Sequence, residues 1–199
     1  MRRKMDYTRF LRNSHIFAFA VRDVLERKYL KDTSPHPLTL SQFYLLKLMS
    51  NNGRHQVGEI ANFLGISPAA ASKTIDKLEG LGLVVRKPSE GDRRATLLSV
   101  SLSGRRLVTA YEDLKAARLF PILDNFKQHE IEELTRLLEK LAVEVFKLEK
   151  EQTQKEGNGN CLRCAVYLEN DCPVGELRGG CPYEKNHDIS IDRKVLKET

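Results

Sequence analysis

The stretch VGEIANFLGISPAAASKTIDKL, Val57 to Leu78, decides the fold. Val57, Ile60, Ala61 and Leu64 fall on one face of a short helix, which stops at Gly65. Ser67 then offers a side-chain oxygen as a cap, and Pro68 suits the first helical position, where its missing N–H costs nothing. A second helix is therefore predicted from about Pro68 to Leu78, with Ala71, Ile75 and Leu78 facing inward. Helix, a glycine-containing turn of about four residues, then helix is a helix-turn-helix.

Toward the C-terminus, Leu83 to Arg86 and the alternating Thr96 to Val100 predict two strands joined by the polar stretch Lys87 to Arg94. A β-ribbon placed after a helix-turn-helix is a wing. Ser101 can cap a following helix through Leu107, Tyr111 and Leu114, which Pro121 kinks or restarts. In the last helix Ile131, Leu134, Leu138, Leu141, Val145 and Leu148 are spaced 3, 4, 3, 4, 3, the narrow seam of a coiled coil that calls for another helix. Toward the N-terminus, Leu40 to Met49 is too apolar for a single stripe and predicts a deeply buried helix. Tyr7 to Tyr29 predicts a long amphipathic one, with Lys31 to Pro37 as an extended linker around two prolines.

The segment GLVVRKPSEGDRRATLLSVSLSG, Gly82 to Gly104, resembles the wing of the MarR (multiple antibiotic resistance regulator) family. The likeness rests on Gly82, Leu83, Val84 and Arg86, then Asp92 and Arg94, then Val100, Ser101 and Gly104. With the helix order on either side, it spans roughly residues 5 to 150. It implies a winged-helix DNA-binding regulator that dimerises through its first and last helices, with a two-fold dimer on a pseudo-palindromic operator. It also implies that Asp92 holds an arginine in place while the wing tip reaches the minor groove, and that a small effector binds between the arms and the winged helix. No residue specifies that effector.

The second helix of a helix-turn-helix enters the major groove with its N-terminal residues at the base edges. Here that end is small: Ser67, Pro68, Ala69 and Ser72 let the backbone approach, while Lys73 and Lys77 supply charge. On the wing, Arg86, Lys87, Asp92, Arg93 and Arg94 complete the expected DNA surface. Thirty-three Lys and Arg against 27 Asp and Glu leave +6, which permits a polyanionic partner. The charge is uneven: the first 156 residues carry +7 and the remaining 43 carry −1, from six basic and seven acidic side chains.

The cysteines are segregated too. Cys161, Cys164, Cys172 and Cys181 all lie within 21 residues, and no other cysteine exists in the chain. Four thiolates match the full ligand count of a 4Fe-4S cluster or of tetrahedral Zn2+. A C-x2-C pair grips one metal from a single turn, and the proline after Cys172 and Cys181 favours the cluster, whereas the single knuckle counts against a zinc ribbon. With few large apolar residues, this segment needs a metal to fold. The expectation is a tail that senses redox state, oxygen or iron; with zinc it becomes a structural clip. His15, His36, His55, His129 and His187 are scattered and are read as surface or packing residues.

Hydrophobic residues at 41% and charged residues at 30% describe a globular chain rather than a disordered one. The longest apolar run is Ile16 to Val21, too short for a membrane span, and the opening residues lack a secretory h-region, so a cytoplasmic protein is expected. No phosphate-binding glycine loop, activated nucleophile or cofactor fingerprint outside the tail suggests an enzyme. The predicted fold class is mainly α with a small β-wing (α+β). It divides into an N-terminal dimerisation helix (1–35), a winged helix-turn-helix (36–101), C-terminal dimerisation helices (102–152), and a linker with a four-cysteine metal-bound tail (153–199). The expected partners are double-stranded DNA and a second copy of the chain; the alternative is a metal-clipped protein-interaction scaffold that does not bind DNA.

Overall fold

A computed structural model describes residues 7–52, 55–64, 66–88, 96–152 and 173–174. The wing-tip residues Asp92, Arg93 and Arg94, the four cysteines, His187 and nearly all of the 153–199 tail lie outside the described residues. No described helix is long and apolar enough to cross a membrane.

The first helix, α1, is α-helical over Tyr7–Phe19, π-helical over Ala20–Lys28 and α-helical again over Tyr29–Thr33. It runs past the expected end at Tyr29 because only Ser34, the residue before Pro35, is driven out of helical geometry, to φ −88° and ψ 126°. The wider π turns interrupt the simple 3.6-residue stripe. No residue of Tyr7–Lys28 is buried, and only Tyr29 and Leu30 enter the core.

Thr39 and Gln42 form a reciprocal capping box, the Thr39 N–H donating to Gln42 Oε1 at 3.0 Å and the Gln42 N–H donating to Thr39 Oγ1 at 3.2 Å. This starts α2 (Leu40–Asn52), whose residues Phe43 to Met49 are all buried, as expected of a helix apolar on every side. The exception by type is Lys47, whose Nζ donates to Glu112 Oε1 at 2.6 Å and so joins α2 to a later helix. The pair fixes which faces meet more than it adds net stability, because both charges must first be desolvated.

Helices α3 (Val57–Leu64) and α4 (Pro68–Gly80) form the helix-turn-helix, with Ala71, Ile75 and Leu78 fully buried beneath α4. Strands β1 (Val84–Pro88) and β2 (Thr96–Val100) pair antiparallel in the register Val84 with Val100 through Pro88 with Thr96. Helix α5 (Leu102–Leu123) carries Pro121 inside its last turn and ends two residues later rather than restarting at the proline. Helix α6 (Gln128–Gln152) follows. The core joins Phe43, Leu46, Ile60, Ile75, Leu98 and Tyr111 across α2 to α5 and the ribbon, with the Phe43 and Tyr111 rings 4.4 Å apart.

The ribbon root is closed by a glycine. Gly82 adopts φ +70°, a conformation that costs other residues about 1 kcal/mol. Its carbonyl accepts the Ser101 hydroxyl at 2.6 Å, and the Ser101 N–H donates to Leu83 O at 3.0 Å. Ser101 Oγ in turn caps α5 by accepting the Gly104 N–H at 3.0 Å. A Cβ at Gly104 would stand 2.4 Å from Leu83 O and 2.6 Å from Val100 Cγ1. Gly104→Ala is therefore expected to lower stability by about 1–3 kcal/mol through overpacking against backbone, read as a shift of the urea midpoint at unchanged slope.

Candidate nucleic-acid interface

Helix α4 presents the expected outward face. Ser67 caps it, its Oγ accepting the Ala70 N–H at 3.2 Å. Pro68 has no N–H, so Ala69 carries the free donor of the first turn. Ser67, Pro68, Ala69, Lys73, Asp76 and Lys77 are exposed, and Ser72 is half-buried. Among the described residues neither Lys73 nor Lys77 has an ion-pair partner, which leaves two ammonium groups one turn apart beside a tip without bulk.

Arg86, expected on the DNA surface, is half-buried. It projects from β1 back onto α4, where it pairs with Asp76 and Glu79. The next residue, Lys87, is exposed. The sequence held a signal for this arrangement: Asp76 and Glu79 are three residues apart, which places them on one face of α4.

A second feature of the ribbon escaped the sequence reading. His55 forms a β-bridge to Leu98, its N–H donating to Leu98 O at 2.9 Å and its carbonyl accepting the Leu98 N–H at 2.7 Å. Its ring is buried, with Nδ1 3.6 Å from Glu59 Oε2 and no hydrogen-bond partner at Nε2. It is a packing histidine that ties the segment before α3 to the wing.

Helices α1 and α6 keep most of their apolar side chains exposed among the described residues. Tyr7, Phe10, Leu11, Ile16, Phe17 and Phe19 are exposed on α1. No residue between Gln128 and Leu148 is buried, and Leu134, Leu138, Leu141, Val145 and Leu148 of the seam are 38–60% exposed. A shallow groove of about 190 Å³ lies beside Thr39, Gln42, Leu64, Ile66 and Thr74, below the roughly 300 Å³ at which ligand sites begin. Among the described residues no group of His, Cys, Asp and Glu is placed to hold a metal.

This combination defines a winged helix-turn-helix protein. Residues 38–96 match the MarR family model. The chain is 25% identical over 113 residues to the HTH-type transcriptional regulator MhqR of Bacillus subtilis, covering 57% of this chain and 78% of that protein. It is 28% identical over 123 residues to the HTH-type transcriptional repressor Rv2887 of Mycobacterium tuberculosis, covering 62% and 88%. The fold is also that of Streptococcus pneumoniae FabT, solved in complex with DNA, at TM-score 0.58 and 17% identity over 70% of this chain and 99% of that one. These two relatives are named as a regulator and a repressor of transcription.

Burial holds the His55 pKa below its ordinary value, and Glu59 opposes that shift without reversing it. The folded chain therefore keeps His55 neutral where the unfolded chain takes up a proton. This contribution to stability is complete above about pH 6.5 and declines as the pH falls below it, until the lower folded pKa is reached. Urea denaturation between pH 7.5 and 5 should show that loss, and His55→Gln should flatten it.

Proposed function

We propose that the chain is a DNA-binding transcriptional regulator that acts as a homodimer on a pseudo-palindromic operator. The observation that carries this reading is the outward face of α4, a small-residue tip followed by Lys73 and Lys77, presented beside a β-ribbon. A helix of this kind fits the major groove, with backbone and small side chains at the bases and the lysines at phosphates. The exposed apolar faces of α1 and α6 support the dimer, since the largest apolar patches of a monomer are a few hundred Å² at most. A two-fold pair of α4 helices would then meet two half-sites about one DNA turn apart. A small-molecule effector is a further part of this reading that the resemblance alone supports.

We further propose that Cys161, Cys164, Cys172 and Cys181 hold one inorganic centre, a 4Fe-4S cluster ahead of Zn2+. The support is the confinement of every cysteine to a segment with its own charge balance, separate from the basic DNA-binding part. A cluster would make the tail a sensor of redox state, oxygen or iron, and zinc would make it a clip.

Fluorescence anisotropy of duplex DNA across salt concentrations tests the first reading. Wild-type affinity should fall steeply with salt, and Lys73→Ala and Lys77→Ala should each weaken binding to every duplex and reduce the salt slope by about 0.9. Failure to bind any duplex at low salt, or a monomer at micromolar concentration by sedimentation, rejects it. For the tail, protein purified without oxygen should be brown with about four irons per chain, or colourless with about one zinc. Cys164→Ser should abolish the metal content, and a metal-free wild-type chain rejects the proposal.

A further inference from the structure

We infer that Arg86 is a positioning residue that sets the angle of the wing against the recognition helix, rather than a contact to DNA. The inference rests on the DNA-binding reading above and adds to it the part that joins the two reading elements.

The ribbon is attached to the body at its root, through Ser101 and Gly82, and along β2, through the His55 to Leu98 bridge. Burial along β1 falls from buried at Val84 to half-buried at Val85 and Arg86 and to exposed at Lys87 and Pro88. Arg86 is thus the last residue of β1 that is at least half-buried. A two-stranded ribbon is strongly twisted and marginal by itself, so its direction depends on that last attachment. Arg86 Nη2 donates to Asp76 Oδ1 at 2.5 Å and Nη1 donates to Glu79 Oε2 at 2.7 Å. The planar guanidinium fork spans two carboxylates on one helix face, which the compact ammonium of lysine does not.

The electrostatics point the same way. On this face Lys73 and Lys77 cancel Asp76 and Glu79, and Arg86 leaves one net positive charge. An Arg86 that turned away to a phosphate would uncover two carboxylates beside the DNA. Held where it is, it masks them and fixes the wing.

The test uses the full chain, a duplex selected by the wild type from a randomised pool, and an unrelated duplex of equal length, each titrated over a range of KCl concentrations. Arg86→Lys keeps the charge and loses the fork. It should weaken the selected duplex about tenfold, the order of a lost bidentate pair, with unrelated binding and salt slope unchanged. The double variant Asp76→Asn/Glu79→Gln breaks the clamp from the other side while raising the net charge by two. It should tighten the unrelated duplex, yet lower the ratio of selected to unrelated affinity. The inference is overturned if Arg86→Lys keeps that ratio, if the double variant tightens both duplexes equally, or if Arg86→Ala lowers the salt slope as a phosphate contact would. A collapse of the urea midpoint with an unchanged ratio would make Arg86 a plain stability contact and overturn it as well. A wild-type chain that binds neither duplex removes the DNA-binding reading itself, a result distinct from all of these.

Discussion

The close approach of α5 to the ribbon root is the constraint on which the rest of the architecture depends. Gly104 has no side chain, and that allows the Leu83 carbonyl and the Val100 side chain to occupy the space where a Cβ would stand. Ser101 joins the same three elements, since its N–H and hydroxyl bind the turn at Leu83 and Gly82 while its Oγ caps the helix. The wing, the turn after α4 and the start of the long helix are therefore one junction. Through it, any tilt of α5 is felt at the ribbon.

The same helix is tied in the other direction to α1 and α2. Glu112 receives the buried Lys47, Tyr111 donates its hydroxyl to Leu25 O at 3.2 Å, and Arg118 lies 5.1 Å from the centre of the Tyr29 ring. Directional contacts hold α5 at its N-terminus and along its middle. The arms that would carry a dimer and the surface that would meet DNA thus share α5. The proposed homodimer would gain from this, because half-site spacing is set by how rigidly the two reading heads are held apart.

Much of this was legible in the residue order because the deciding signals are local. Ser67 and Pro68 start α4, and the inward placing of Ala71, Ile75 and Leu78 follows from the helical period alone. Helix α4 runs to Gly80 rather than Leu78, and α1 to Thr33, because nothing in those added residues breaks a helix. The π-helical stretch of α1 has no signature in a period count. The spacing of Asp76 and Glu79 signalled a shared helix face, but not that Arg86 lies opposite it. A basic residue on a wing reads as a phosphate contact until the distance to carboxylates on another element is known.

Composition and spacing by themselves determined the helix-turn-helix, the ribbon, the apolar seam of α6 and the grouping of four thiols, since each depends on neighbours within a few turns of the chain. Only the tertiary structure decided that His55 pairs with Leu98, that Arg86 faces α4, and that the apolar side chains of α1 and α6 stay exposed among the described residues. The first two outcomes join residues seven to more than forty positions apart. The physical reason is that a side chain's partner is set by where packing of the core brings two elements together, and periodicity records the face a residue occupies but not what lies opposite.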